Sequence, residues 1–471
     1  MKKLFFFLVI LFGCETKNDS LPNVILVLVD DLGYNDVGFN GSNDIRTPNI
    51  DMLSHNGVTF TNGYVSYPVC SPSRAGIITG RYQDKFGYGL NILYTPKDPK
   101  MGLPLSEYTL ADLFKSKNYI TSAIGKWHLG AHESLRPLNR GFDEFFGFLT
   151  GGHRYFPEEW TLEDETEVKS QGDAYRTKLL RNDQRVEENE YLTDALSREA
   201  IDFIDRNNDN PFFLYLAYNA PHGPLQATKK YLDRFDHIED KRRKTYAAMV
   251  SSVDDGVGGI IDKLKQHNIL DNTIIYFLSD NGGSKFNSSN NYPLKGFKGE
   301  LYEGGLKVPF VMHWPAKIKP NTVFEKPVIS LDIFATIKSV INPSLELKNP
   351  LHGKNLMPYI SGNSNDSPHD YLFWRNNGHQ PPQEDGTRPR YITWALRTLD
   401  HKLLIRRNDS MFFDLENDIS ESKNIKDSLL KSFNLLNSKI EEWNQSNLDP
   451  IFLGLKDNKL YNKLNPNRFK N

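Results

Sequence analysis

The sequence predicts a doubly wound, mostly parallel α/β sheet followed by a smaller C-terminal α+β domain of antiparallel sheet and packed helix. Three observations predict it. Four apolar runs of strand length each end abruptly in polar residues, helix-like stretches lie between them, and beyond residue 364 the chain switches to short strands at hairpin spacing.

Composition sets the outer bounds. The chain has 471 residues, 38% hydrophobic and 25% charged, which is ordinary for a globular protein and long enough for two domains. Its 57 basic side chains face 59 acidic ones, so no general positive field exists to draw a polyanion such as nucleic acid. Any anion must be met by a local pocket.

The first element is a leader, residues 1–13. Lys2 and Lys3 precede a nine-residue apolar run, Leu4 to Phe12, too short to span a bilayer and read as an export signal. Its end, Leu11-Phe12-Gly13-Cys14, resembles a bacterial lipobox, which implies lipidation of Cys14. The expectation is an exported protein anchored by lipid to the outer membrane, at its periplasmic face or the cell surface, or free in the periplasm. Residues 14–22 then form a polar tether.

Residues 23–364 form the expected catalytic domain. Asn23 to Val29 is a continuous apolar, β-branched run, the pattern of a parallel strand buried on both faces, and it stops at Asp30-Asp31-Leu32-Gly33. The design recurs three times. Tyr119 to Ile124 runs into Gly125-Lys126-Trp127-His128, Pro211 to Ala217 into Asn219-Ala220-Pro221-His222, and Thr273 to Leu278 into Ser279-Asp280-Asn281. Helices are expected at Leu110 to Lys117, Thr193 to Asp205, Thr245 to His267 and Leu331 to Val340. Ligands of such sheets bind beyond the carboxyl ends of the strands, so four ends bearing Asp-Asp, Lys/His, His and Asp-Asn point to one site. The stretch from Glu144 to Asn189 lacks periodicity and reads as a long insertion over that site. In residues 365–471, strands are expected near Tyr371 to Trp374, Tyr391 to Leu396, Lys402 to Ile405 and Met411 to Phe413, with a helix from Asn424 to Trp443.

Cysteine counting isolates one residue. Of two cysteines, Cys14 would be consumed by lipid, leaving Cys70 with no partner for an intramolecular disulfide. Around it the chain reads Cys70-Ser71-Pro72-Ser73-Arg74, then Thr79-Gly80-Arg81. Pro72 suits a first helical position, Ser71 a cap and Gly80 a stop, so Cys70 is expected at a helix N-terminus, where backbone N–H groups favour an anion. Arg74 lies one turn in.

Those residues resemble the signature of type I, formylglycine-dependent sulfatases of the alkaline-phosphatase-like superfamily, and the chain as a whole resembles bacterial polysaccharide sulfatases. A second stretch carries the likeness, Gly296-Phe297-Lys298-Gly299-Glu300 through Gly304-Gly305. The resemblance implies that Cys70 is oxidised to formylglycine by a sulfatase-maturing enzyme. It also implies that Asp30, Asp31, Asp280, Asn281 and the modified Cys70 hold a metal, and that Arg74, Lys126, His128, His222 and Lys298 surround the sulfate. Carboxylate and amide oxygens are hard donors that suit Ca²⁺ better than zinc, with Mg²⁺ second. Arg74, Lys126 and Lys298 then balance the charge. The aldehyde hydrate implied by the family offers one hydroxyl to attack sulfur and a second to collapse the product of that attack. His222, with Lys298, is expected to protonate the departing alcohol.

The expected substrate is a sulfated polysaccharide or its oligosaccharides. Sugar contacts are expected from His153 and Arg154 in the insertion and from Trp374, Arg375 and His379 in the C-terminal domain. Two alternatives stand beside this: a phosphonate or phosphodiester hydrolase of the same superfamily, and a non-catalytic glycan-binding lipoprotein. Zinc phosphatases of the superfamily place a histidine after the late aspartate, whereas Asn281 follows Asp280 here.

Overall fold

The computed structural model describes residues 21–163, 167–379, 390–407 and 409–468; the leader and Cys14 lie outside them. Ten strands form the main sheet. In chain order they are β1 (Asn23–Val29), β2 (Val58–Phe60), β3 (Ile120–Lys126), β4 (Glu144–Phe148), β5 (Leu179–Arg181), β6 (Gln184–Val186), β7 (Phe212–Ala217), β8 (Thr273–Ser279), β9 (Phe310–His313) and β10 (Thr322–Phe324). Across the sheet they run β10-β2-β9-β8-β1-β7-β3-β4-β5-β6. The central five, β8 to β4, are all parallel, and antiparallel pairs appear only toward the flanks.

The continuous apolar pattern of β1 has a direct consequence in packing. Val24, Leu26 and Leu28 enter the core on one face of the sheet, and Ile25, Val27 and Val29 enter the core on the other. Each such side chain contributes roughly 1.5–3 kcal/mol by leaving water. The Leu192–Arg206 and Lys241–Gln266 helices cover one face, and the Cys70–Thr79, Leu110–Lys115 and Asp332–Ile341 helices cover the other. Among the described residues no helix is long and apolar enough to cross a membrane.

The insertion differs from its reading as irregular chain. Its first five residues form β4, paired in parallel with β3, and β5 and β6 extend the same sheet as a hairpin. Strands of three residues are too short to show a period of two, which is why the pattern was invisible.

The C-terminal sheet is antiparallel, with strands in sequence order: β11 (Leu372–His379), β12 (Arg390–Arg397), β13 (His401–Arg406) and β14 (Asp409–Asp414). One face packs on Phe433, Leu436 and Ile440 of the Leu430–Asn444 helix. The other, through Trp374 and Leu404, packs on Tyr64, Leu306 and Leu331 of the first domain.

Candidate active site

The two central strands set the geometry. Val29 lies opposite Ser279 in the parallel pairing of β1 with β8, so Asp30 and Asp31 emerge beside Asp280 and Asn281. All four are buried. The Asp280 N–H donates to the Val29 carbonyl at 3.0 Å, and Asp31 turns the chain in the left-handed region, φ 63°, which aspartate tolerates better than bulkier residues.

Cys70 opens the Cys70–Thr79 helix, every residue of which is buried. The helix begins two residues before Pro72, with Val69 as its cap, so Ser71 is not the cap that the sequence suggested. Ser71 works inside the turn. Its N–H donates to Asn91 Oδ1 (3.0 Å) and its hydroxyl to the His128 carbonyl (2.8 Å), tying the helix start to the end of β3. Gly80, at φ 64°, ends the helix as expected.

Three cations meet the three carboxylates. Arg74 donates from Nε to Asp280 Oδ2 (2.9 Å) and pairs with the same oxygen through the Nη2 charge (2.8 Å), Lys126 donates from Nζ to Asp30 Oδ2, and Lys298 Nζ forms an ion pair with Asp31 Oδ1 (2.6 Å). Burial opposes charge throughout, yet Lys126 holds the Asp30 carboxyl below the usual range and Lys298 does the same for Asp31. Lys298 also reaches Cys70 Sγ at 3.0 Å, while the Cys70 thiol lies 3.6 Å from Asp30 Oδ1. The Lys298 loop is pinned on both sides, by Lys298 N–H to the Gly283 carbonyl (3.0 Å) and Gly299 N–H to the Pro68 carbonyl (2.8 Å). Burial, then Asp30, pushes the unmodified Cys70 thiol up to about 12.

His222 projects beyond β7. Its Nδ1 lies 2.7 Å from the Gly223 carbonyl and its Nε2 3.9 Å from Asp31 Oδ2, with burial holding its pKa below the ordinary value. His128 is 5% exposed, and burial followed by the Lys126 charge pushes its pKa well down. The structure therefore brings together all ten residues expected at the metal and around the sulfate.

The donor set fits one hard divalent cation. Ligand atoms of Asp30, Asp31, Cys70 and Asp280 all lie within 4.8 Å of one another. Asn281 spends its Nδ2 on Asp31 Oδ1 (2.7 Å) and the Gly282 carbonyl (3.0 Å), and its buried Oδ1 has no hydrogen-bond partner. An orphaned amide oxygen beside three carboxylates is what an oxygen-seeking ion requires.

Cys70, His128, His222 and Lys298 open on a cavity of about 440 Å³, of a size common for small-molecule sites. Asn91, Tyr94, Gln171, Tyr175 and Leu455 also line it. None of these five was identified from the sequence, since they sit in loops without periodicity. Tyr175 and Gln171 fall inside the insertion expected to cover the site.

The expected sugar contacts stand apart. His153 is fully buried between Phe148 and Trp160, its ring nitrogens against the carbonyls of Arg154 and Thr177 (2.9 and 2.7 Å). Trp374, 1% exposed, donates from Nε1 to the Val65 carbonyl (2.7 Å) and fills the contact between domains. Arg375 is held by Asp449 (2.5 Å) and the Leu448 carbonyl (2.9 Å). These three are packing residues, their hydrogen bonds turned to the fold, with only Arg375 Nε left unpartnered and buried. Arg154 faces Glu159 at 3.6 Å and does not line the cavity. The side chain of His379 lies outside the described residues.

Comparison with known proteins identifies the family. A family model described as Sulfatase matches residues 22–342, and one described as N-sulphoglucosamine sulphohydrolase, C-terminal, matches residues 297–445. The uncharacterized sulfatase YdeN of Escherichia coli (strain K12) is 33% identical over 417 residues, covering 76% of this chain and 70% of that protein. The N-acetylgalactosamine-6-sulfatase of Homo sapiens is 33% identical over 354 residues, 72% of this chain and 66% of its own length. Among solved structures, Ps i-CgsB in complex with k-i-k-neocarrahexaose superposes with a TM-score of 0.85 at 39% identity, covering 96% of this chain and 100% of that one.

Proposed function

The chain belongs to the sulfatase family and is a sulfuric ester hydrolase, and on that premise we propose that it desulfates a sulfated polysaccharide or its oligosaccharides outside the cytoplasm. One observation carries the mechanism. Cys70 stands at a buried helix start, its Sγ 3.6 Å from Asp30 and 3.0 Å from Lys298, at the floor of the cavity. Formylglycine formed from Cys70 would supply a hydrated aldehyde as nucleophile, and a calcium ion (or magnesium) held by Asp30, Asp31, Asp280 and Asn281 would supply Lewis acidity.

The chain's own residues do the rest. Arg74, Lys126 and Lys298 neutralise a site that otherwise gathers three carboxylates and then an anionic ester. His128 and His222 line the cavity together with Cys70. In the net reaction the S–O bond of the ester breaks, water supplies the oxygen that sulfur gains, and the departing alkoxide takes a proton. His222, with Lys298 beside it, delivers that proton.

The polysaccharide reading draws support from the neocarrahexaose bound by Ps i-CgsB and from the leader expected at residues 1–13. Lipidation at Cys14 would anchor the enzyme to the outer membrane, where such polymers are met. Desulfation of defined sulfated oligosaccharides, followed by sulfate release, tests the substrate. Turnover of phosphonate or phosphodiester esters in preference to sulfates would instead favour the alternative hydrolase. Peptide mass spectrometry at Cys70, and fatty-acid labelling at Cys14, test the two modifications. Full activity with an unmodified thiol would overturn the aldehyde mechanism.

A further inference from the structure

The insertion over the catalytic cavity carries a pair of glycines, Gly151-Gly152, that the mechanism does not use. Neither adopts the left-handed backbone that favours glycine. What each lacks is room for a side chain. A Cβ on Gly151 would stand 2.9 Å from His128 Cε1 and Nε2, and one on Gly152 would stand 2.8 Å from Tyr175 Cζ and 2.9 Å from its hydroxyl. Contacts that short force a neighbour to move, so the two glycines are what admits the His128 and Tyr175 rings to the cavity wall.

Tyr175 is held by its backbone. It sits in the short helical turn Asp173–Arg176, where its N–H donates to the Gly172 carbonyl (3.2 Å) and its carbonyl accepts from the Arg154 N–H (3.0 Å). Its hydroxyl, by contrast, has no hydrogen-bond partner among the described residues. Burial raises its pKa against the pull of Lys126 and Lys298, so the hydroxyl stays protonated, able to donate and to accept. Two amides line the same cavity. The Ser71 N–H meets Asn91 Oδ1 and the Tyr94 N–H meets Gln171 Oε1, each at 3.0 Å. A backbone N–H can meet only the oxygen of an amide, which leaves the NH2 of Asn91 and of Gln171 uncommitted among the described residues. The cavity is thus charged at Cys70, His222 and Lys298 and neutral along Asn91, Gln171 and Tyr175.

We propose that Tyr175 is a specificity-determining residue, placed by Gly152, whose hydroxyl joins the Asn91 and Gln171 NH2 groups in binding uncharged hydroxyls of the sugar unit that carries the reacting sulfate. The inference rests on the saccharide reading of this site and deepens it: what the neutral wall reads is a hydroxyl on the leaving group itself. An aryl leaving group has no such hydroxyl, and a wall whose polar groups stay unpaired discriminates against it. Because these contacts are neutral and change little as the S–O bond breaks, they act on binding more than on the chemical step.

The test compares Tyr175→Phe, Gly152→Ala and the double variant with the wild type, each matured at Cys70. The substrates are nitrophenyl sulfate and the shortest sulfated oligosaccharide that the wild type desulfates. Tyr175→Phe keeps the ring and removes the hydroxyl alone. The expected result is a KM raised about tenfold on the oligosaccharide and less than about threefold on the aryl sulfate, with kcat within about twofold on both. Gly152→Ala pushes aside the far end of the Tyr175 side chain and should give the same substrate-dependent rise. The double variant should be no worse than Gly152→Ala alone, since both changes remove one contact. Equal changes on the two substrates, or none on either, overturn the role of Tyr175, and independent, multiplying effects overturn its placement by Gly152; both outcomes leave the sulfatase reading intact. A wild type that turns over nitrophenyl sulfate but no sulfated oligosaccharide overturns the saccharide reading, and the inference with it.

Discussion

Among the described residues, two buried ionic clusters built around lysine serve opposite ends. The catalytic one pairs Asp30, Asp31 and Asp280 with Lys126, Lys298 and Arg74 at the strand ends. The other joins the two domains: Lys402 of β13 meets Glu303 Oε1 at 2.9 Å and Glu421 Oε1 at 3.0 Å, all three side chains fully buried. Here every carboxylate oxygen faces a donor or a cation, Glu421 Oε1 through the Lys402 ion pair alone. Glu303 Oε2 accepts from Tyr64 (2.6 Å) and Glu421 Oε2 from the Glu303 N–H (2.7 Å). The catalytic cluster keeps Asn281 Oδ1 unpartnered and opens on a cavity through Cys70, Lys298 and His222. Buried charge alone therefore does not mark a site; an unspent donor set facing open space does.

The contrast is broken most forcefully at Cys70. Cys70→Ser should fold with an unchanged melting temperature, because serine fits the same small volume, yet lose about four to six orders of magnitude in desulfation rate. A host that does not convert serine is required. Loss of folding instead of turnover would mean that Cys70 belongs with the structural cluster.

How much of this was legible in the sequence follows the same division. Asp30, Lys126, His222 and Asp280 could be read because each follows an uninterrupted apolar run that fixes its strand end locally. The Cys70 and Lys298 stretches carried the family likeness. Glu303, Lys402 and Glu421 gave no local sign, since their meeting depends on how two domains dock. The cavity wall was hidden for a similar reason: Asn91, Tyr175 and Leu455 come from three distant loops. His153 and Trp374 were expected at the sugar from their places in the insertion and the C-terminal domain, but tertiary packing took their polar groups.

A smaller effect is expected at His222. His222→Ala should slow a sulfated sugar by roughly two to four orders of magnitude, the range for a lost general acid, while sparing an activated aryl sulfate much more. Leaving-group dependence is the measurement. Equal losses on both substrates would place His222 in sulfate binding, and the acid would then be sought at Lys298 or His128.

In the closed cluster the expected loss is of stability. Lys402→Met strands two buried carboxylates, Glu303 and Glu421, and such a break costs about 3–5 kcal/mol. Chemical denaturation should report it as a lower midpoint, with kcat retained in the fraction that stays folded. A loss of kcat at full stability would show that the domain contact tunes the site.

The finest distinction between the clusters is their response to calcium. Binding to the folded state alone stabilises it by about 2.7 kcal/mol at a concentration one hundred times Kd. The Asp30, Asp31, Asp280 and Asn281 set can bind such an ion because its carboxylate atoms converge and one amide oxygen is unspent, whereas Lys402 already supplies the cation that Glu303 and Glu421 share. Adding calcium to chelator-treated protein should therefore raise the melting temperature by a few degrees. In an Asp31→Asn/Asp280→Asn protein the increment should vanish, and the starting stability should fall because Lys298 and Arg74 lose their carboxylate partners. The Lys402→Met protein gives the decisive control: its melting temperature starts lower, yet the calcium increment should be the same as in the wild type, because the two clusters share no residue. If the increment survives Asp31→Asn/Asp280→Asn, the ion binds elsewhere and the catalytic cluster is balanced by its lysines and arginine alone.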